Sequence, residues 1–367
     1  SSDRARRLMS WTEPSPKPTN INSPMDNTVR SLCVKVPKGD GEFIRKKLIE
    51  SGALDTGLKI SRTDEFVLIP VIREPEDLLG YELSEDEFEE RKLTESDYKL
   101  MADIPEGLRD LLPTSFDIIG DIGIVKLPDE LLPFSSKIGE AMRKAFPRLR
   151  VVALDGGVKG EFRVRDLEPI AGEGPMETVH QEYGLKLTVD PSKMYFNPRL
   201  ANERKRISSL VSPGEVVVDM FTGAGPFAIM ISKFAQPAAV FAIDINHDAV
   251  ECLRKNIVAN KVTNVVPIEG DSRQMIFEIP CADRIIMNLP HSAREFFADA
   301  LTRLNLGGTI HLYHICDKND IGDVLEQLLF ESRGMGVNVE ISRREELKTY
   351  SPTSSVFSID LRLLGWA

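Results

Sequence analysis

Residues 216–227 read Val-Val-Val-Asp-Met-Phe-Thr-Gly-Ala-Gly-Pro-Phe. Three β-branched residues run into Asp219, a turn holding Gly223 and Gly225 follows, and Pro226 suits the first position of a helix. Glycine is needed in such a turn because the chain reverses sharply and leaves backbone open to a ligand with no Cβ in the way. Beyond it, short β-rich apolar runs recur at 239–244, 265–269, 283–288 and 308–313, each followed by a helical segment. Runs that are apolar on both faces and spaced by helices predict a parallel sheet covered on both sides. The last two strands, 336–341 and 354–361, have no helix between them and are expected to form an antiparallel edge pair. The expected fold is α/β, a doubly wound sheet with a hairpin end.

Two smaller α+β regions precede it. Residues 31–36 alternate as a strand, 41–51 form an amphipathic helix with Phe43, Ile44, Leu48 and Ile49 inward, and 58–60 and 65–71 read as strands. This module, 29–73, is too small to hold an enzyme site of its own, so binding or packing is its expected role. The region 110–200 carries a strand at 122–127, a helix at 137–146 and strands near Val151, at 161–164 and at 185–189. Residues 1–28, rich in Ser, Pro and Asn, are expected to be a disordered tail.

The chain has 367 residues, with 57 acidic side chains against 46 basic ones and a formal charge of −11. Taken whole, that balance argues against a nucleic-acid partner, since phosphate binding is driven by Lys and Arg. Its distribution removes the argument: residues 74–107 alone hold 13 acidic and 3 basic residues. The stretch 74–109 reads as an acidic, partly helical linker, expected either to face away from a nucleic-acid partner or to limit non-specific RNA binding. No segment approaches the roughly 20 apolar residues of a membrane span, and no secretory signal is read at the start. Cys33, Cys252, Cys281 and Cys316 lack C-x-x-C spacing and paired histidines, so no disulfide framework and no metal site is expected. A cytoplasmic, monomeric protein is the expectation.

Three acidic strand ends carry the chemistry. Asp219 closes the first strand, Asp244 the second, 19 residues past Gly225, and Asp271 the third. Alone, each reads equally well as a helix cap. In this order on successive strands they suit a cationic amino acid moiety, a ribose and an adenine, with Phe221, Gly223, Gly225, Ile245 and Ser272 beside them. That set fits S-adenosylmethionine better than a dinucleotide, whose pyrophosphate is anionic, and the third glycine of the dinucleotide fingerprint is missing. The fourth strand ends Asn288-Leu289-Pro290, which resembles the N-P-P-Y signature of class I methyltransferases acting on planar nitrogens. An Asn amide there can hydrogen-bond the edge of a flat base and hold its nitrogen in line. Upstream, 195–206 combines Tyr195 and Phe196 with Arg199, Arg204, Lys205 and Arg206 around a single carboxylate, Glu203. It reads as an RNA-contact face, or as a solvated helix. Arg165 lies on an alternating strand before it.

Phe162-Arg-Val-Arg165, Tyr195-Phe-Asn-Pro-Arg-Leu-Ala-Asn-Glu-Arg204, 216–227, Ala242-Ile-Asp-Ile-Asn246 and Ile286-Met-Asn-Leu-Pro290 follow in this order. Together they resemble the archaeal and eukaryotic tRNA (guanine-N1)-methyltransferases that modify position 37. The resemblance implies a Rossmann-like class I methyltransferase domain at 201–367 that binds S-adenosylmethionine. It implies an RNA-binding middle domain at 110–200 on the anticodon arm, and an N-terminal module at the outer corner of tRNA. It makes Glu203 the general base and Arg163 the residue facing guanine O6, with Asn288 and Pro290 lining the base pocket. Tyr195, Arg199, Asp244 and Asp271 fall on the cofactor side, and Arg165, Arg204, Lys205 and Arg206 toward RNA. His291 stands where the family carries lysine. The rivals are a wyosine-pathway transferase at the same tRNA position, moving a methyl or an aminocarboxypropyl group, and a nitrogen methyltransferase for another substrate.

Overall fold

Apolar runs of four to six residues are too short for stable helices but long enough to cross a sheet, and here they do so. The computed structural model describes residues 28–55, 57–75, 80–89, 97–160, 164–349 and 353–366. The expected tail and Arg163 lie outside the described residues.

Seven strands form the sheet of the C-terminal region: β1 (Val216–Asp219), β2 (Ala239–Asp244), β3 (Val265–Glu269), β4 (Ala282–Met287), β5 (Leu304–Asp317), β6 (Val337–Thr349) and β7 (Ser354–Trp366). Their order is β3-β2-β1-β4-β5-β7-β6. Pairings from β3 through β5 are parallel, and β7 runs antiparallel between β5 and β6. The edge pair is therefore present, with longer strands than the sequence suggested. Helices α1 (Ala201–Leu210), α2 (Pro226–Ala235), α3 (His247–Asn260), α4 (Ser272–Met275), α5 (Phe297–Thr302) and α6 (Ile321–Gly334) flank the sheet. Strand order reverses between β1 and β4, which opens a crevice at the carboxyl ends of those strands.

The chain divides into two compact units, 1–94 and 95–367. In the second, one core takes in Ile122, Leu187 and Val189 from upstream together with Ile207, Val217 and Phe227. The boundary expected at residue 200 thus falls inside a shared core. In the first unit, Thr28–Pro37, Ser61–Arg62, Phe66–Pro70 and Glu82–Glu89 make a four-stranded sheet beside the helix Gly41–Glu50. Phe43 is exposed, against expectation, while Ile44 and Leu48 are buried.

The acidic stretch was expected to be a partly helical linker; its described part is helical at Tyr98–Met101 and Glu106–Leu111, but Glu82–Glu89 is an edge strand. Glu82–Glu89 pairs antiparallel with Thr28–Pro37. Leu83 packs with Val34 and Val36 on one face, whereas Phe88 is buried with Cys33 and Leu68 on the other. Two apolar residues at odd spacing give no period-2 signal, which is why the strand was invisible. Its carboxylates face solvent, a usual guard against edge-to-edge pairing.

Candidate active site

The crevice is built from the glycine turn. Gly225 has φ +81°, and a Cβ there would stand 2.2 Å from Leu253 Cδ1, so only glycine fits. Asn256 on α3 braces the turn: its Nδ2 donates to the Ala224 carbonyl at 2.9 Å, while its Oδ1 accepts from Thr188 N at 2.6 Å. Nothing in the sequence marked Asn256, a polar residue on the buried side of a helix.

Asp219 is fully buried, and among the described residues neither of its carboxylate oxygens, nor Thr222 Oγ1, makes a hydrogen bond of good geometry, although Thr222 and the Phe221 backbone lie close enough to favour the ionised form. Burial, reinforced by the charge of Asp244, pushes the Asp219 pKa up to about 7. A buried carboxylate with open acceptors is costly, and a ligand's ammonium group would relieve it. Asp244 accepts from Gly223 N at 2.7 Å and Asn246 N at 2.9 Å, one bond per oxygen, which leaves acceptor capacity for ribose hydroxyls. Ile245 beside it is exposed, and Phe221 is half-buried, edge-on to Phe296 at 4.9 Å. The orphaned carboxylate, the Cβ-free cradle and the exposed apolar residue together fit S-adenosylmethionine. Asp271 and Ser272 are less open than expected. One Asp271 oxygen caps α4 through Arg273 N at 2.9 Å, and the Ser272 hydroxyl is spent on the Met220 carbonyl.

Glu203 stands in the first turn of α1, 7% exposed. Arg206 grips both its oxygens, at 2.8 and 2.7 Å, and Tyr313 OH and Ser358 Oγ donate to Oε1 at 2.8 and 2.9 Å. Burial opposes ionisation of Glu203, but these donors outweigh it and hold its pKa below the usual carboxylate range. Met287 pairs with Leu312, so Asn288 follows at the level of Tyr313. Asn288 Oδ1 is buried with no partner. The Pro290 carbonyl accepts from Ile315 N, which fixes the corner to β5. The base candidate and the Asn-Leu-Pro corner thus meet through β5.

The basic segment is where the expectation needs correcting. Arg204 is 1% exposed, and both arms of its guanidinium lie on the buried Glu182, so it is no surface contact for RNA. Arg206 is spent on Glu203 and Asp360. Lys205 lies over the Phe234 ring at 3.9 Å, leaving its charge half-open. Arg199 and Arg165, expected on the cofactor and RNA sides, share one carboxylate: Asp117 accepts from Arg199 Nε at 2.7 Å and Arg165 Nη2 at 2.8 Å. Tyr195 is 42% exposed, with its carbonyl 3.5 Å from the Cβ position of Gly223. Because Arg204→Ala leaves Glu182 as an unpaired buried charge, it is expected to destabilise the fold by about 3–5 kcal/mol. Urea unfolding checks this; a weakened, salt-dependent RNA affinity with unchanged stability would restore Arg204 to the surface.

Comparison with known proteins follows the same lines. Residues 178–340 match the TRM5/TYW2 methyltransferase domain, 33–79 the tRNA methyltransferase 5 N-terminal domain and 97–175 the TYW2 N-terminal domain. A protein of Pyrococcus abyssi (strain GE5 / Orsay) named tRNA (guanine(37)-N(1))-methyltransferase Trm5b is 44% identical over 335 residues, 91% of this chain and 99% of that one. The chain belongs to the tRNA (guanine-N1)-methyltransferase family that acts at position 37. Among family structures, crystalline wild-type Trm5b of Pyrococcus abyssi superposes with a TM-score of 0.69 at 43% identity, covering 91% of this chain and 100% of that one. A complex of aTrm5 with tRNALeu gives a TM-score of 0.64 at 35% identity, with the same coverage. This methyltransferase therefore shares its fold with those structures. Among the described residues no helix is long and apolar enough to cross a membrane.

Proposed function

We propose that the protein transfers a methyl group from S-adenosylmethionine to N1 of guanosine 37 of tRNA. The observation that carries this reading is Glu203: an ionised, buried carboxylate meeting the Asn288 corner through β5, in the domain that carries the glycine turn. Guanine N1 holds a proton at neutral pH, so its lone pair is unavailable until a base removes it. Glu203 takes that proton, and the charge left on the ring spreads onto O6, where Arg163 supplies the opposite charge. Asn288 holds the flipped base by its edge through its open Oδ1, and Pro290 closes the pocket wall. When bound, S-adenosylmethionine supplies an electrophilic methyl group on a sulfonium centre. Asp219 holds its amino group, Asp244 its ribose, and the Gly223–Gly225 turn lets it lie against backbone.

The match of residues 97–175 to the TYW2 N-terminal domain favours a second reading, transfer of the aminocarboxypropyl group of the same cofactor. Glu203 and Asn-Leu-Pro favour methyl transfer, because only N1 methylation needs a base at a ring nitrogen and a corner to align it. Transcripts bearing guanosine or adenosine at position 37 test the proposal with labelled methyl donor. Incorporation into the guanosine transcript alone is expected, and equal labelling of both would overturn it.

A further inference from the structure

The two oxygens of Glu203 are not equivalent. Oε1 accepts from Arg206 Nη2, Tyr313 OH and Ser358 Oγ, whereas among the described residues Oε2 accepts only from Arg206 Nε. A carboxylate oxygen has two lone pairs, so Oε1 is saturated and Oε2 keeps one free.

Behind Arg206 a charged chain crosses the sheet. Arg206 Nη1 donates to Asp360 Oδ2 at 2.8 Å, Asp360 Oδ1 meets His311 Nδ1 at 2.6 Å, and His311 Nε2 meets Arg284 Nη1 at 2.7 Å. Arg284 ends on Glu215. Guanidinium groups only donate, so His311 Nε2 must accept, and its single proton sits on Nδ1 facing Asp360. Asp360 is then an ionised anchor for Arg206. From β6, Arg343 Nη1 reaches Ser358 Oγ at 3.4 Å. Among the described residues Arg206 and Tyr313 are the titratable groups that touch Glu203, with Asp360, His311, Arg284 and Arg343 behind them.

We infer that Oε2 is the atom that takes the guanine N1 proton, and that Tyr313, Ser358 and the Asp360-anchored Arg206 are positioning residues that keep Glu203 ionised with Oε2 open. The inference rests on the reading of Glu203 as the base. In the step, an Oε2 lone pair forms the O–H bond as N1–H breaks, and the N–H pair stays on N1 and O6. That pair then bonds the methyl carbon while the carbon–sulfur pair returns to sulfur. The proton on Oε2 leaves to solvent.

The arrangement also explains why polar residues interrupt the apolar strands β5 and β7. His311, Tyr313, Ser358 and Asp360 alternate on one face of adjacent strands, with His311 opposite Asp360 and Tyr313 opposite Ser358. All four are buried.

The test is a carboxylate titration of carbon-13-labelled glutamate in the full chain, with Glu203 assigned by Glu203→Gln. Tyr313→Phe and Ser358→Ala are each expected to raise the Glu203 midpoint by about one pH unit, since each removes a donor. In single-turnover methyl transfer, Tyr313→Phe/Ser358→Ala should lose about tenfold more rate at about pH 4.5 than at about pH 8, with KM for tRNA unchanged. Should that double variant fail to fold, Ser358→Ala alone gives both readouts. An unmoved midpoint, or an equal loss at both pH values, overturns the inference. A wild-type protein that titrates as described yet leaves guanosine 37 unmodified removes the underlying reading instead.

Discussion

Glu203→Gln is expected to lower the single-turnover rate of methyl transfer to guanosine 37 by about 10²–10⁴-fold, the range general-base removal covers. Cofactor affinity should not change, because Glu203 touches α1, β5 and β7 and none of the strand-end aspartates. Glutamine keeps one carbonyl for Tyr313 and Ser358 but turns an amide N–H toward Arg206, so a thermal melt belongs beside the rate. Because Glu203 is held ionised well below neutrality, the wild-type rate should not fall on its account between about pH 6 and pH 8. Rates for wild type and variant within threefold would take the base role away from Glu203.

Asp219→Asn is expected to do two opposite things. Without ligand, the buried carboxyl titrates near 7, above its unfolded value. The sign then follows from linkage: its favourable contribution is complete below about pH 4 and is lost as pH rises through about 7. At about pH 8 the ionised, buried Asp219 therefore costs wild type on the order of 4 kcal/mol. The asparagine variant escapes that cost, so it should be the more stable protein at about pH 8, with the gap closing toward about pH 4. Binding of S-adenosylmethionine should move the other way. Loss of a charge-assisted contact is expected to weaken affinity by about 10–100-fold, and wild-type affinity should rise with pH through about 7 while the variant's stays flat. Calorimetric titration across that range checks both. Parallel pH dependence in the two proteins would remove Asp219 from the ammonium site.

The parallel part of the methyltransferase sheet was legible because β1 to β4 are short, largely apolar runs bounded by glycine or a polar turn, and Asp219 and Asp244 stand at strand ends where a ligand can reach them. The edge strand Glu82–Glu89 was not, because one apolar residue on each face leaves no alternation to find. The basic segment misled for a different reason. Composition shows that Arg204 and Arg206 are charged, but not that Glu182 and Asp360, 22 and 154 residues away, come to meet them in the fold. Glu203 was visible as an isolated carboxylate in that segment. Its partners Tyr313, Ser358 and Asp360 were hidden in strands whose polar residues gain meaning only when β5 and β7 are side by side.

An excess of acid argued against RNA only while it was taken as uniform, and much of it lies on one solvent-facing edge strand of the first unit.

The most direct measurement is the mass and position of the group the enzyme adds. After reaction of a guanosine-37 transcript with S-adenosylmethionine, nuclease digestion and fragment mass spectrometry should place a single methyl group on guanosine 37, with the nucleoside co-eluting with 1-methylguanosine. A methyl group at another nucleotide or another atom, or the larger mass of an aminocarboxypropyl group, would contradict the account.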